Sequence, residues 1–232
     1  TECDVLDEKG SLVARASSDP PSSSVLAKLG ARASAPSRTA TTNLRLTAPE
    51  LLPSTTGLRV VLFLSGCLLG CTFCHNPDTW HLKDGTYASA QQVTDRLASF
   101  APALRTLDGG LTISGGEPMV QLSFTQRILA GAKAMGLHTA IETSGFLGDR
   151  CDERFLSVLD MVLLDIKSSD PETYRRATGR DLAPTLRLAE RLARIGKPTW
   201  VRFTHVPGLT DDPANVEGIA RFVAPMKNVE WV

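Results

Sequence analysis

From residue 58 the chain alternates short apolar runs with longer stretches whose apolar positions recur at helical spacing. Residues 59–65 (RVVLFLS) are too few for a helix and read as a buried strand. Residues 111–114, 139–142, 161–166 (MVLLDI) and 199–204 read as further strands, and 229–232 opens a sixth. Between them, 88–100, 120–135, 171–177, 184–195 and 213–224 carry helical patterns. Strands alternating with helices imply β/α units on a parallel sheet. The predicted fold is therefore α/β, a partial (β/α)6 TIM-like barrel that stops just inside its sixth strand. In such barrels the chemistry gathers at the C-terminal ends of the strands.

Residues 1–50 differ. They are rich in Ser, Thr, Ala and Pro and show little periodicity, so a disordered extension is expected there. Its charges between residues 10 and 47 are mostly basic, a feature of transit peptides, but Glu2, Asp4, Asp7 and Glu8 oppose that reading. A tail or processing segment is expected rather than an organelle address.

Composition narrows the function classes. The 232 residues are 42% hydrophobic, enough for a substantial core. Lys and Arg number 25 against 25 Asp and Glu, so no global basic field points to nucleic acid. No apolar run is long enough to cross a bilayer, so no membrane association is expected. Of five cysteines, Cys67, Cys71 and Cys74 crowd into eight residues. That is a poor disulfide framework and fits a metal site in a reducing compartment, hence a cytoplasmic place.

The cysteines are spaced C-x3-C-x2-C directly after the first strand, with Gly66 and Gly70 beside them. Structural zinc wants four ligands, commonly two separated pairs. His75 could be a fourth, although adjacent residues rarely face one metal. A [4Fe–4S] cluster held by three cysteines keeps one iron open for a small molecule. Three cysteines packed as small hydrophobes are the bland alternative.

Other motifs fall at strand ends. Gly115-Gly116-Glu117-Pro118 follows the second strand; its glycines admit close backbone approach, and Glu117 can accept from an ammonium. Taken alone it is a turn. Glu142-Thr143 ends the third strand, Asp165-Ile166-Lys167 the fourth and Arg202 the fifth. Each alone reads as a surface ion pair or cap; together they make a polar rim. Arg175, Arg176, Arg187, Arg191 and Arg194 read as solvated helix faces.

C-x3-C-x2-C with an aromatic before its last cysteine resembles the radical S-adenosylmethionine (SAM) superfamily. The run Cys74-His75-Asn76-Pro77-Asp78-Thr79-Trp80, then 160–167, Thr178-Gly179 and 200–212, resembles the pyruvate formate-lyase activating enzymes over about residues 58–232. The resemblance implies one radical SAM domain, with a [4Fe–4S] cluster on Cys67, Cys71 and Cys74 and SAM on the open iron. It implies an oxidoreductase that cleaves SAM reductively and draws a hydrogen from a glycine of pyruvate formate-lyase, with flavodoxin or ferredoxin as reductant. A monomer is expected. Phe73, His75, Gly115, Gly116, Asp165 and Lys167 match positions lining SAM, with Glu117 on its amino group and Arg202 near its ribose. Glu142, Thr143 and Asp165 match a monovalent-cation site beside the SAM carboxylate, where the family usually has Asp in place of Glu142. The family also carries D-G-P-G-x-R before the first strand, where this chain has Pro53-Ser54-Thr55-Thr56-Gly57-Leu58-Arg59. The chain stops at Val232, inside the sixth strand, so a fragment or divergent product with impaired peptide binding is one expectation. The alternatives are an activase of another glycyl-radical enzyme, a small-molecule radical SAM enzyme, a zinc or iron–sulfur binding fragment, or a barrel without metal.

Overall fold

The structure is a computed structural model. It describes residues 57–232 throughout, and of the first 56 only the backbone of three strands: β1 (Cys3–Leu6), β2 (Leu12–Ala16) and β3 (Thr41–Asn43). The rest of residues 1–50, on which the expected disordered extension falls, lies outside the described residues, as does 53–56.

The remaining strands are β4 (Arg59–Leu64), β5 (Thr86–Tyr87), β6 (Gly110–Gly115), β7 (His138–Thr143), β8 (Met161–Asp165), β9 (Thr199–Arg202) and β10 (Val229–Trp231). They form one sheet in the order β10-β9-β8-β7-β6-β4-β3-β5. All neighbours from β4 to β10 pair in parallel, while β3 runs antiparallel to both β4 and β5. Six parallel strands in sequence order, each joined to the next through helix, are the open half-barrel expected. The antiparallel edge formed by β3 and β5 was not, because strands of two or three residues carry no readable alternation.

Among the described residues seven α-helices follow: α1 (Ala90–Ala98), α2 (Ala101–Thr106), α3 (Leu122–Ala134), α4 (Glu153–Ser157), α5 (Pro171–Thr178), α6 (Ala183–Arg194) and α7 (Pro213–Val223). Their ends are chemically marked. Ser89 and Gln92 close a capping box on α1. Asp170 accepts from Thr173 N–H to start α5, Pro171 fills its first turn, and Gly179, at φ 72°, ends it in the left-handed region.

Alternation along the strands separates two faces. Leu62, Leu64, Leu111, Ile113, Ile141, Val162, Leu164 and Val201 point outward and join a continuous core with Leu97, Ile128, Leu129, Phe155, Leu192 and Ile219 of the helices. The alternate residues point inward. Ala140, Met161, Leu163 and Trp200 form a small apolar layer there. Below it, at the N-terminal end of the sheet, buried Arg59 donates through Nε to Thr112 Oγ1 at 2.7 Å and through Nη2 to the Leu111 carbonyl at 2.7 Å. Burial lowers its pKa to about 10. Above the layer, at the C-terminal strand ends, the inward positions become charged.

The helical arginines are mostly on solvent as expected, with Arg175 paired to Asp181 and Arg187 to Asp149. Arg191 differs: it is half-buried and donates to the Cys151 carbonyl at 2.5 Å, tying α6 to the segment before α4.

Candidate active site at the strand ends

The cysteine loop leaves the end of β4 and is fixed by backbone bonds on two sides. Gly66 N–H donates to Thr79 O at 2.7 Å, and Cys67 N–H to Trp80 O at 3.0 Å. From the other side, Gly70 N–H donates to Thr178 O and Thr72 N–H to Ala177 O, both at 2.9 Å, using the carbonyls at the end of α5. Arg180 adds a bond from Nε to Leu68 O at 2.6 Å. The 3-10 turn Pro77–Thr79 presents the first pair of carbonyls.

Cys71 is buried; Cys67 and Cys74 are partly exposed. Burial pushes the Cys67 thiol up to about 11, and Glu117, Cys71 and Cys74 add to that effect. The Cys71 thiol is also raised, by burial first, with Lys167 working against it. Among the described residues no three Cys, His, Asp or Glu side chains already converge as a metal centre. The donors nevertheless fit one: three thiols on one anchored loop are mutual electrostatic neighbours, and metal binding displaces their protons.

The second strand end crosses over this loop. Gly116 N–H donates to Leu64 O at 2.7 Å, and Glu117 N–H to Gly66 O at 2.8 Å. A Cβ on Gly116 would stand 2.5 Å from Gly66 O and 2.8 Å from Thr79 O, both backbone atoms, so this position requires glycine. The Glu117 carboxylate turns inward, 1% exposed. Its Oε1 accepts from Met119 N–H at 3.2 Å and Thr143 Oγ1 at 2.8 Å. Its Oε2 accepts from Ser144 N–H at 3.0 Å and Ser144 Oγ at 2.7 Å. Glu117 thus ties β6 to the end of β7. Burial raises its carboxyl, and the Ser144, Thr143 and Met119 donors work against that rise.

The third part is a polar ladder across four strands. Ser114 Oγ donates to Glu142 Oε2 at 2.8 Å. Glu142 Oε1 pairs with Arg202 Nη1, and Arg202 Nε lies 3.7 Å from Asp165 Oδ1. Asp165 Oδ2 pairs with Lys167 Nζ at 3.2 Å. The Lys167 ammonium in turn stands 5.6 Å from the centre of the Phe73 ring, on the cysteine loop. Burial works against the Lys167 charge, but Asp165 and Cys71 hold it above its usual range. Glu142 is raised, by burial and then by Asp165, with Arg202 opposing.

The structure therefore brings Cys67, Cys71, Cys74, Phe73, Gly115, Gly116, Glu142, Asp165, Lys167 and Arg202 to one rim. His75 is exposed beside it. Thr143 does not share the face of Glu142: it is buried and spends its hydroxyl on Glu117. Residues given no role by sequence reasoning also belong here. Ser144 completes the Glu117 pocket, Arg180 clamps the cysteine loop, and Trp80 donates to Cys74 Sγ at 3.1 Å. Only Trp80, inside the heptapeptide after the cysteines, carried a sequence signal.

Comparison with known proteins agrees with this geometry. Residues 61–222 match the model of the Radical SAM superfamily. The pyruvate formate-lyase-activating enzyme of Listeria monocytogenes is 38% identical over 182 residues, 76% of this chain and 73% of that protein. The enzyme of the same name from Clostridium pasteurianum is 39% identical over 176 residues, 76% of this chain and 74% of that protein. The crystal structure of Streptococcus suis SuiB bound to S-adenosylmethionine superposes with a TM-score of 0.60 over 76% of this chain and 38% of that one. At 17% identity that is a likeness of fold. With a three-cysteine loop at the strand ends and these relatives, the chain belongs to the radical SAM superfamily and, within it, to the pyruvate formate-lyase-activating enzymes.

Proposed function

We propose that the chain activates pyruvate formate-lyase by installing a glycyl radical on it. The observation that carries this reading is the joining of the three-thiol loop to a charged inner rim through Lys167 and Phe73. Cys67, Cys71 and Cys74 would hold the [4Fe–4S] cluster, which would supply the one-electron reduction of SAM that radical abstraction of the glycine hydrogen needs.

The chain's own residues bind and orient. SAM offers an ammonium, a carboxylate, a sulfonium and a ribose. The Gly115-Gly116 turn, closed onto the Leu64 and Gly66 backbone, forms the wall beside the amino acid end, Lys167 and Arg202 supply positive charge for its carboxylate, and Asp165 and Glu142 accept from hydroxyls or the ammonium. The Glu117 side chain acts from behind, by holding the glycine turn against β7. A monovalent cation would compete with the Arg202 guanidinium, which already stands between Glu142 and Asp165. SAM affinity should therefore change by less than about twofold when potassium is replaced by a large organic cation at constant ionic strength; calorimetry on the cluster-loaded chain checks this. A tenfold loss would give the site to a metal cation.

The proposed partners are pyruvate formate-lyase, whose glycine loop enters the rim, and flavodoxin or ferredoxin as one-electron donor. The chain acts as a monomer in the cytoplasm. No helix among the described residues is long and apolar enough to cross a membrane. The deciding experiment is anaerobic reconstitution and reduction, followed by SAM and pyruvate formate-lyase and electron paramagnetic resonance. A glycyl radical that requires every component is expected. A fully loaded, SAM-binding chain that yields no radical on this partner would transfer the activity to another substrate.

A further inference from the structure

Trp80 touches two of the three cysteines through different atoms. Its carbonyl accepts from Cys67 N–H at 3.0 Å, and its indole Nε1–H donates to Cys74 Sγ at 3.1 Å. The ring is not free to wander. Trp80 caps the 3-10 turn Pro77–Thr79, its own N–H bonded to Pro77 O at 3.2 Å. Pro77 restricts that turn, and Thr79, 2% exposed, anchors it through Gly66 N–H on one side and Asn76 O on the other. The donor is therefore set by the same backbone that shapes the cysteine loop. An indole N–H has no acceptor capacity, so its orientation toward sulfur is unambiguous.

We propose that the Trp80 indole N–H is a hydrogen-bond donor to a cluster-ligating sulfur and sets the reduction potential of the cluster. This rests on the reading that Cys67, Cys71 and Cys74 hold a [4Fe–4S] cluster. One-electron reduction adds negative charge that the thiolate sulfurs share. A donor aimed at one of them stabilises the reduced form more than the oxidised form, and so raises the potential. The electron comes from the external one-electron donor, and no proton moves. Trp80 touches no reacting atom. It is a positioning and tuning residue that eases electron entry.

The test compares reconstituted wild type with Trp80→Phe, each with its iron and sulfide content measured, by potentiometry followed by electron paramagnetic resonance. At a fixed solution potential the ratio of reduced to oxidised cluster should fall about three- to tenfold in the variant. At about 59 mV per decade for one electron, that is a downward shift of about 30–60 mV. Equal potentials at equal cluster content overturn the proposal. Should Trp80→Phe fail to hold a cluster, wild type labelled with ¹⁵N-indole tryptophan decides the matter. Trp200 and Trp231 lie on β9 and β10, so a ¹⁵N hyperfine coupling to the reduced cluster reports Trp80. Its presence supports the bond and its absence overturns it. A wild-type chain that takes up no iron and sulfide fails at the cluster reading itself, a different result.

Discussion

Cys71→Ala should abolish both cluster and glycyl-radical formation, a loss beyond the ~10- to 100-fold common for residues that merely support a metal ligand. Cys71 is the buried member of the three thiols and faces the charged rim, where Lys167 and Asp165 both act on it. Its removal leaves two thiols on a loop whose backbone is already spent on Thr79, Trp80, Ala177 and Thr178. Iron and sulfide analysis after anaerobic reconstitution measures the effect directly. Cys151→Ala is the matched control. That thiol packs against Met119 Sδ at 3.3 Å, and burial pushes it up to about 12, so it stays a neutral core group. It should leave the full iron content in place. A Cys71→Ala chain with about four irons would refute the three-cysteine assignment.

The second large effect is on stability. Glu117→Ala should cost several kcal/mol, the sum left when buried donors lose a shared acceptor, each worth about 1–3 kcal/mol. The carboxylate is enclosed, and its loss leaves Thr143 Oγ1, Ser144 N–H, Ser144 Oγ and Met119 N–H facing a cavity. Denaturant unfolding of the cluster-free chain isolates this effect from ligand binding. A residue that served only to meet the SAM ammonium would leave apo stability within about 0.5 kcal/mol of wild type, as ordinary surface changes do. That result would move Glu117 from a support of the glycine turn to the ligand itself.

The sequence made the two periodicities and the cysteine spacing plain, because both are local. Strands β4 and β6 to β10 and the long helices lie within a few residues of their expected places. Helices α2 and α4 were not legible. Each is five or six residues long, and α2 starts at Phe100 with no capping side chain, so no signal separates it from α1. The site was legible as a rim but not as a network. Alternation puts Ser114 and Glu142 on inward positions of neighbouring strands, yet their bond spans 28 residues. The pairing of Arg202 with Glu142 depends on sheet order and side-chain reach, which no local pattern encodes. Glu117 is the sharpest case. Its place in a Gly-Gly turn suggests an exposed group, and its burial comes from Thr143 and Ser144, 26 and 27 residues further on.

The anchoring of the cysteine loop also ties the metal site to folding. Gly70 and Thr72 hang from the last carbonyls of α5, so the loop keeps its shape only while that helix keeps its C-terminal turn. Fraying at Thr178 would release two of the loop's four backbone N–H anchors at once, and a loop closed on iron would resist that fraying. Cluster and helix thus belong to one cooperative opening unit. Metal occupancy should be written in slowed amide exchange along Pro171–Thr178, a helix with none of the three ligands on it.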